Sequence, residues 1–227
     1  MTKKQKQYQK NICFYFQVHQ PYRLSETSFF DEDGAEADLF HGPNNATNRG
    51  VFEKVAQKCY LPATQMLLDL LKKYPEFRVS FSLSGVFLDQ CEEYGEIGKE
   101  VLSLFKKIAK TGQAEILCET YHHSLAFLFS KEEYGAQIQL QAEKIKKLFG
   151  KKPKIFRNTE LIYNNELAEF IRQMGFEGML AEGWDPYLGG RSPNHLYTAH
   201  SAEIHKEDAR LAKKHKVGSR AKKQLPI

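Results

Sequence analysis

The feature that most constrains this chain is an alternation of short apolar runs with longer stretches whose apolar residues recur at helical spacing. Residues 11–18 (NICFYFQV) are aromatic and almost continuously apolar, as expected of a strand covered on both faces. Residues 77–83 (FRVSFSL), 114–118, 154–158 and 178–181 read as four further strands. Between them lie amphipathic helices. One covers residues 51–74, with Met66, Leu67, Leu70 and Leu71 on one face and Pro75 as its stop. A second, over 97–110, carries Ile97, Val101, Leu104, Phe105 and Ile108, and Thr111-Gly112 closes it. A third covers 131–149, with Tyr134, Ile138, Ala142, Ile145 and Phe149 in register and Gly150 as its cap. Asn165 reads as the N-cap of a fourth, whose face is Leu167, Phe170, Ile171 and Met174 and whose end is Gly175. Residues 25–50, rich in Gly, Asn and Asp, read as a long loop.

Strands separated by helices of this length form parallel βαβ units with right-handed crossovers. Two architectures satisfy the pattern, an open doubly wound sheet and a (β/α) barrel. In both, functional groups gather at the C-terminal ends of the strands. Those ends carry His19-Gln20-Pro21, Ser84-Gly85, Glu119 to His123, Arg157 to Glu160, and Glu182 to Asp185. Polar and aromatic side chains are thus predicted to converge on one rim.

Composition removes several function classes. The formal net charge of +5 looks basic. However, residues 200–227 hold eight Lys/Arg against three Asp/Glu, and residues 1–199 hold 25 of each sign. The body is neutral, so no basic face calls for nucleic acid. Neither a GxGxxG nor a Walker loop supports a nucleotide site. Cysteines at 13, 59, 91 and 118 lack zinc spacing and fit reduced thiols in a cytoplasmic protein. The basic N-terminus is followed by too short an apolar run for a signal peptide, and no run approaches the ~20 residues of a membrane span.

Each rim residue has two readings. Glu160 is either a carboxylate favouring the positive end of the next helix or a catalytic group. His19 is either a satisfied polar strand end or a ligand-facing imidazole. Trp184 either stacks on a sugar ring or packs a loop. His122-His123 beside Glu119 suggests a metal, but adjacent residues on an extended segment point apart. Arg157 lies near Glu160 in sequence, and strand alternation leaves open whether it faces it.

The motifs resemble one known family. His19-Gln20-Pro21 resembles the HQP signature of glycoside hydrolase family 57. Gly112-Gln113-Ala114-Glu115 is similar to that family's second conserved region, and Phe156-Arg157-Asn158-Thr159-Glu160-Leu161 to its third, as found in α-amylase-type members. Cys59-Tyr60-Leu61-Pro62, His123-Ser124-Leu125 and Ser192-Pro193-Asn194 also resemble that subgroup. The likeness covers about residues 11–199. It implies an incomplete (β/α)7 barrel of parallel strands that acts on α-glucans or maltooligosaccharides by a retaining mechanism, with no metal and no organic cofactor. It implies Glu160 as the nucleophile, and His19 and Glu115 as residues lining the sugar site. Gln20, His123, Arg157, Asn158 and Trp184 complete the candidate substrate-binding set.

In the family the general acid is an Asp at the end of the last strand. Residues 200–227 contain no strand-like apolar run. The expectation is therefore a barrel domain over 1–199 lacking its last strands, a basic, disordered tail outside the family pattern over 200–227, no general acid, and impaired hydrolysis. Open strand edges would make such a chain marginal or aggregation-prone. Competing readings are a 4-α-glucanotransferase, a non-catalytic α-glucan-binding remnant and a pseudogene product. A polysaccharide deacetylase would need an Asp-Asp pair and an HxxxH, and the sequence has neither.

Overall fold

The computed structural model describes residues 12–24, 40 and 46–199. It contains five strands: β1 (Phe14–Val18), β2 (Val79–Leu83), β3 (Ala114–Leu117), β4 (Ile155–Arg157) and β5 (Gly178–Leu180). β1 pairs with β2 and β2 with β3, while β4 pairs with β5, all parallel. A parallel bridge between Cys118 and Phe156 joins the two groups. The strands therefore stand in space in their chain order. A doubly wound sheet reverses its order at a switch point, whereas a barrel wall does not, so this is a partial barrel. Among the described residues, β1 and β5 each have one neighbour and the wall is open.

Register separates the two faces of the wall. Phe81, Leu83, Cys118 and Phe156 point outward and are fully or almost fully buried beneath helices. Tyr15 and Gln17 of β1, Ser80 and Ser82 of β2, and Glu115 and Leu117 of β3 point inward. The inward hydroxyls pair, with Tyr15 Oη 2.6 Å from Ser82 Oγ. β1 departs from expectation. Its outward Phe14 and Phe16 are 46% and 36% exposed, because among the described residues their aromatic partners, Phe77 and Phe81, lie on the β2 side.

The helices are α1 (Ala46–Val55), α2 (Leu61–Lys73), α3 (Gly85–Glu93), α4 (Gly95–Lys110), α5 (Lys131–Phe149), α6 (Asn165–Gln173) and α7 (Asp185–Leu188). A π-helical turn over Ala56–Tyr60 links α1 to α2. The α4 stripe is buried as its spacing predicts, with Val101 and Ile108 at zero exposure. α5 begins at Ser130, whose Oγ accepts the Glu133 amide, and ends at Gly150 in a left-handed conformation.

Two helices escaped the sequence reading. α3 was hidden because Ser84-Gly85 reads as a strand stop. In the fold Ser84 caps α3, accepting the Phe87 amide, and Gly85 opens it. Glycine is needed there for space, since a Cβ would meet the Tyr121 ring at 2.4 Å. α7 is a single turn with Pro186 near its start. The first helix starts at Ala46 rather than 51, and Asn164 rather than Asn165 caps α6, accepting the Leu167 amide at 2.8 Å. Most of the expected 25–50 loop and all of the 200–227 tail lie outside the described residues. No described helix is long and apolar enough to cross a membrane.

Candidate active site

The C-terminal ends of β1 to β4 build one cluster. His19 leaves β1, and its Nδ1 lies 2.8 Å from Ser84 Oγ at the end of β2. The same hydroxyl caps α3, so one serine fixes both the helix and the imidazole. The His19 ring stacks on His123, with centroids 4.3 Å apart. Burial pushes the His19 pKa down to about 4, and the nearby charges of His123 and Arg157 push the same way against Glu160. His19 is therefore neutral at neutral pH.

His123 sits in the left-handed region, with φ 55°. Its amide donates to the Thr120 carbonyl, and the Ser124 amide donates to Thr120 Oγ1. This tight turn brings the ring back over the strand end. Nδ1 then lies 2.9 Å from Glu119 Oε2, and Nε2 lies 3.4 Å from Glu160 Oε1. His122 turns elsewhere and packs on Tyr121. The adjacent histidines thus point apart, through a tight turn and not through the extended backbone that was expected.

Glu119 has no solvent exposure. Beyond His123, its charged neighbour is Arg157, with Nη1 3.9 Å from Glu119 Oε2. Among the described residues, Glu119 Oε1 and the Arg157 Nε and Nη1 have no hydrogen-bond partner. Arg157 is thus aimed at Glu119, and its ion-pair contact is with Glu119 and not with Glu160.

Glu160 lies in a 3₁₀ turn, Thr159–Leu161, that follows β4. Both Glu160 and Leu161 are left-handed, at φ 54° and 57°. Two consecutive non-glycine residues in that region cost roughly 1–3 kcal/mol each and persist only where surrounding structure fixes them. Asn158 does much of that fixing. It accepts the Tyr134 hydroxyl at 2.7 Å and donates to the Ile162 carbonyl at 2.8 Å. Thr159 bonds Thr120 across to β3, and the Glu182 amide holds the Leu161 carbonyl. The result is an exposed carboxylate, 70% accessible, on a strained and braced loop.

Three expected substrate-binding residues are placed differently. Glu115 is at the start of β3, level with Tyr15 and Ser80, and is exposed there. It shares the inner face with Glu119 but lies four residues earlier, about 13 Å at ~3.3 Å per residue. The Gly-Gln-x-Glu motif marks the entry of the strand, and Glu119 is the carboxylate that the strand delivers to the rim. Gln20 is buried, with its Oε1 accepting the Tyr60 hydroxyl and its carbonyl accepting the Gln90 amide. It anchors the turn after β1 to its helices instead of facing the rim. Asn158 spends one end of its amide on Tyr134 of α5 and the other on the Ile162 carbonyl of the Glu160 loop. His19, His123, Arg157 and Glu160 are brought together. Trp184, 52% exposed, stands at the N-cap of α7 and lines a separate groove of about 710 Å³ with Tyr163, Leu180, Glu182 and Tyr197. Ser84 and Gln17 were not singled out as binding residues. The alternation that places His19 inward predicts Gln17, and the strand end predicts Ser84.

The fold and site together define a (β/α)-barrel wall with an exposed rim carboxylate backed by two stacked histidines and a buried acid. The chain belongs to glycosyl hydrolase family 57, whose sequence model matches residues 13–212. The match runs past the composition change near residue 199. A Methanocaldococcus jannaschii protein with the provisional name α-amylase is 43% identical over 187 residues, or 82% of this chain and 38% of the relative. An α-amylase of Pyrococcus abyssi is 26% identical over 73% of this chain and 25% of that protein. The chain thus spans well under half the length of these relatives. The crystal structure of the 4-α-glucanotransferase of Thermococcus litoralis superimposes with a TM-score of 0.60 at 23% identity, over 82% of this chain and 24% of that one, and shows the same fold.

Proposed function

We propose that this chain carries the nucleophile of a retaining glycosidase acting on α-glucans such as starch, glycogen or maltodextrin. The observation that carries the reading is Glu160 itself. It is an exposed carboxylate at the C-terminal end of a barrel strand, held out on a left-handed loop and touched by His123. Strain of that kind, kept in place by Asn158 and Thr159, is characteristic of functional positions. The names of the relatives supply the substrate class.

In a retaining mechanism the Glu160 carboxylate attacks the anomeric carbon. A carbon–oxygen ester bond forms as the bond to the leaving group breaks, and the glycosyl ester is then transferred to water. A neutral His19 beside it serves as an uncharged hydrogen-bonding partner for sugar hydroxyls. A protonated second carboxyl ordinarily stands ~5–5.5 Å from the nucleophile. Glu119 does not fill that role, because it is buried and the His123 ring lies between it and Glu160. Transfer to a sugar hydroxyl instead of water would make the same site a 4-α-glucanotransferase, the name borne by the structurally similar Thermococcus litoralis enzyme. Analysis of products from maltooligosaccharides separates the two.

The nucleophile is tested alone with an α-glucosyl fluoride, whose fluoride leaves without an acid. Attack breaks the carbon–fluorine bond and forms the ester. The expected result is a protein heavier by one glycosyl group, and no such gain in Glu160→Gln. A folded wild-type protein that gains no mass contradicts the reading.

A further inference from the structure

We infer that His123 is a positioning residue, holding the Glu160 carboxylate by an ion-pair contact at Nε2 while buried Glu119 holds its Nδ1 by a hydrogen bond, so that the three act as one unit. The inference rests on the reading of Glu160 as nucleophile and adds what keeps that carboxylate in place and ionised.

The geometry is a line of contacts from the core to the rim. Glu119, with no exposure, lies 2.9 Å from Nδ1, and Glu160, mostly exposed, lies 3.4 Å from Nε2. An ionised carboxylate only accepts hydrogen bonds. With Glu160 ionised, as the nucleophile reading requires, Nε2 carries a proton to attract it, and the Glu119 hydrogen bond comes either from a protonated Nδ1 or from a protonated Glu119. In both arrangements Glu160 faces an N–H and keeps its charge, as a nucleophile requires. The longer contact is on the Glu160 side, which leaves that carboxylate free to move toward a sugar carbon.

Three neighbouring groups face the unit. From β1, the Gln17 side-chain amide lies 3.2 Å from both ring nitrogens and carries no charge. His19 covers one face of the His123 ring, and burial holds it neutral at neutral pH, so it adds no second positive charge. From β4, Arg157 sits 3.9 Å from the same Glu119 oxygen that contacts the ring and offsets its charge. The ring itself is carried by a left-handed residue, a conformation that nothing in a bland surface turn requires of a histidine.

The test uses His123→Asn, because asparagine tolerates the left-handed backbone while removing the ring. The rate of glycosyl transfer from the fluoride to Glu160 should fall on the order of 10²-fold, as expected when a reacting group loses its orientation. Added imidazole should restore part of it, which a purely structural role would not allow. An unchanged rate in folded His123→Asn overturns the inference and leaves the nucleophile reading intact. Should the wild type itself gain no glycosyl group, the nucleophile reading fails and histidine ¹⁵N spectra decide the unit on their own. The His123 nitrogen signals should then move in both Glu119→Gln and Glu160→Gln. A His123 spectrum indifferent to Glu160→Gln overturns the inference.

Discussion

Two ends of one inner face behave in opposite ways. At the rim, Glu119 is fully buried, paired with His123 and faced by Arg157. At the other end of the same strand and on the same side, Glu115 is exposed. The chemical group is identical, and position along β3 decides its use. At the rim, the loops after β3 and β4 fold back over the strand ends and exclude water. At the start of the strand, a helix-to-strand turn at Thr111 and Gly112 leaves the carboxylate in solvent.

The sharpest way to break this contrast is to remove charge at the rim. Glu160→Gln should abolish labelling by the glucosyl fluoride, measured by intact mass. Its stability should stay within about 0.5 kcal/mol of wild type, since the side chain is mostly exposed. Glu119→Gln should cost far more stability. It leaves the buried Arg157 guanidinium without its counter-charge, and breaking such a pair costs roughly 3–5 kcal/mol, read from urea unfolding. A stable Glu119→Gln would mean that Arg157 finds another partner.

Acid probes the rim more gently. The His19 pKa in the folded protein lies below its ordinary 6.5, at about 4. The unfolded chain therefore binds that proton first, and stability is lost as pH falls from about 6.5 toward 4, with no effect of this group above that window. His19→Gln should show a shallower fall of the urea midpoint over the same window. Equal slopes would show that His19 is not held neutral. The smallest effect is expected at the far end, where Glu115→Gln should change neither stability beyond about 0.5 kcal/mol nor the labelling rate. A large effect on labelling would restore Glu115 to the site.

Much of the wall was legible because it depends on local periodicity. The α4 stripe from Ile97 to Ile108 and the α5 helix ended by Gly150 follow from spacing and glycine position alone. Glu160, His19 and the convergence at strand ends also follow from where apolar runs stop. What stayed hidden depends on partners far away in sequence. Nothing near Gln20 announces that Tyr60 and Gln90 will occupy it, and nothing near Asn158 announces Tyr134. Gly85 reads as a breaker until Tyr121 is seen against it. Glu119 is read at the strand end but left out of the binding set. Counting in twos from Glu115 through Leu117 reaches it on the inner face at the strand end, where the family motif had drawn attention to Glu115 instead.

The central claim is that this strand end presents a nucleophile. It is tested most directly by digesting protein treated with the α-glucosyl fluoride and sequencing the modified peptide by mass spectrometry. The account predicts one glycosyl ester, on Glu160, within FRNTELIYNN. An ester on Glu119, Glu115, Glu182 or Asp185, or none on a folded protein, would contradict it.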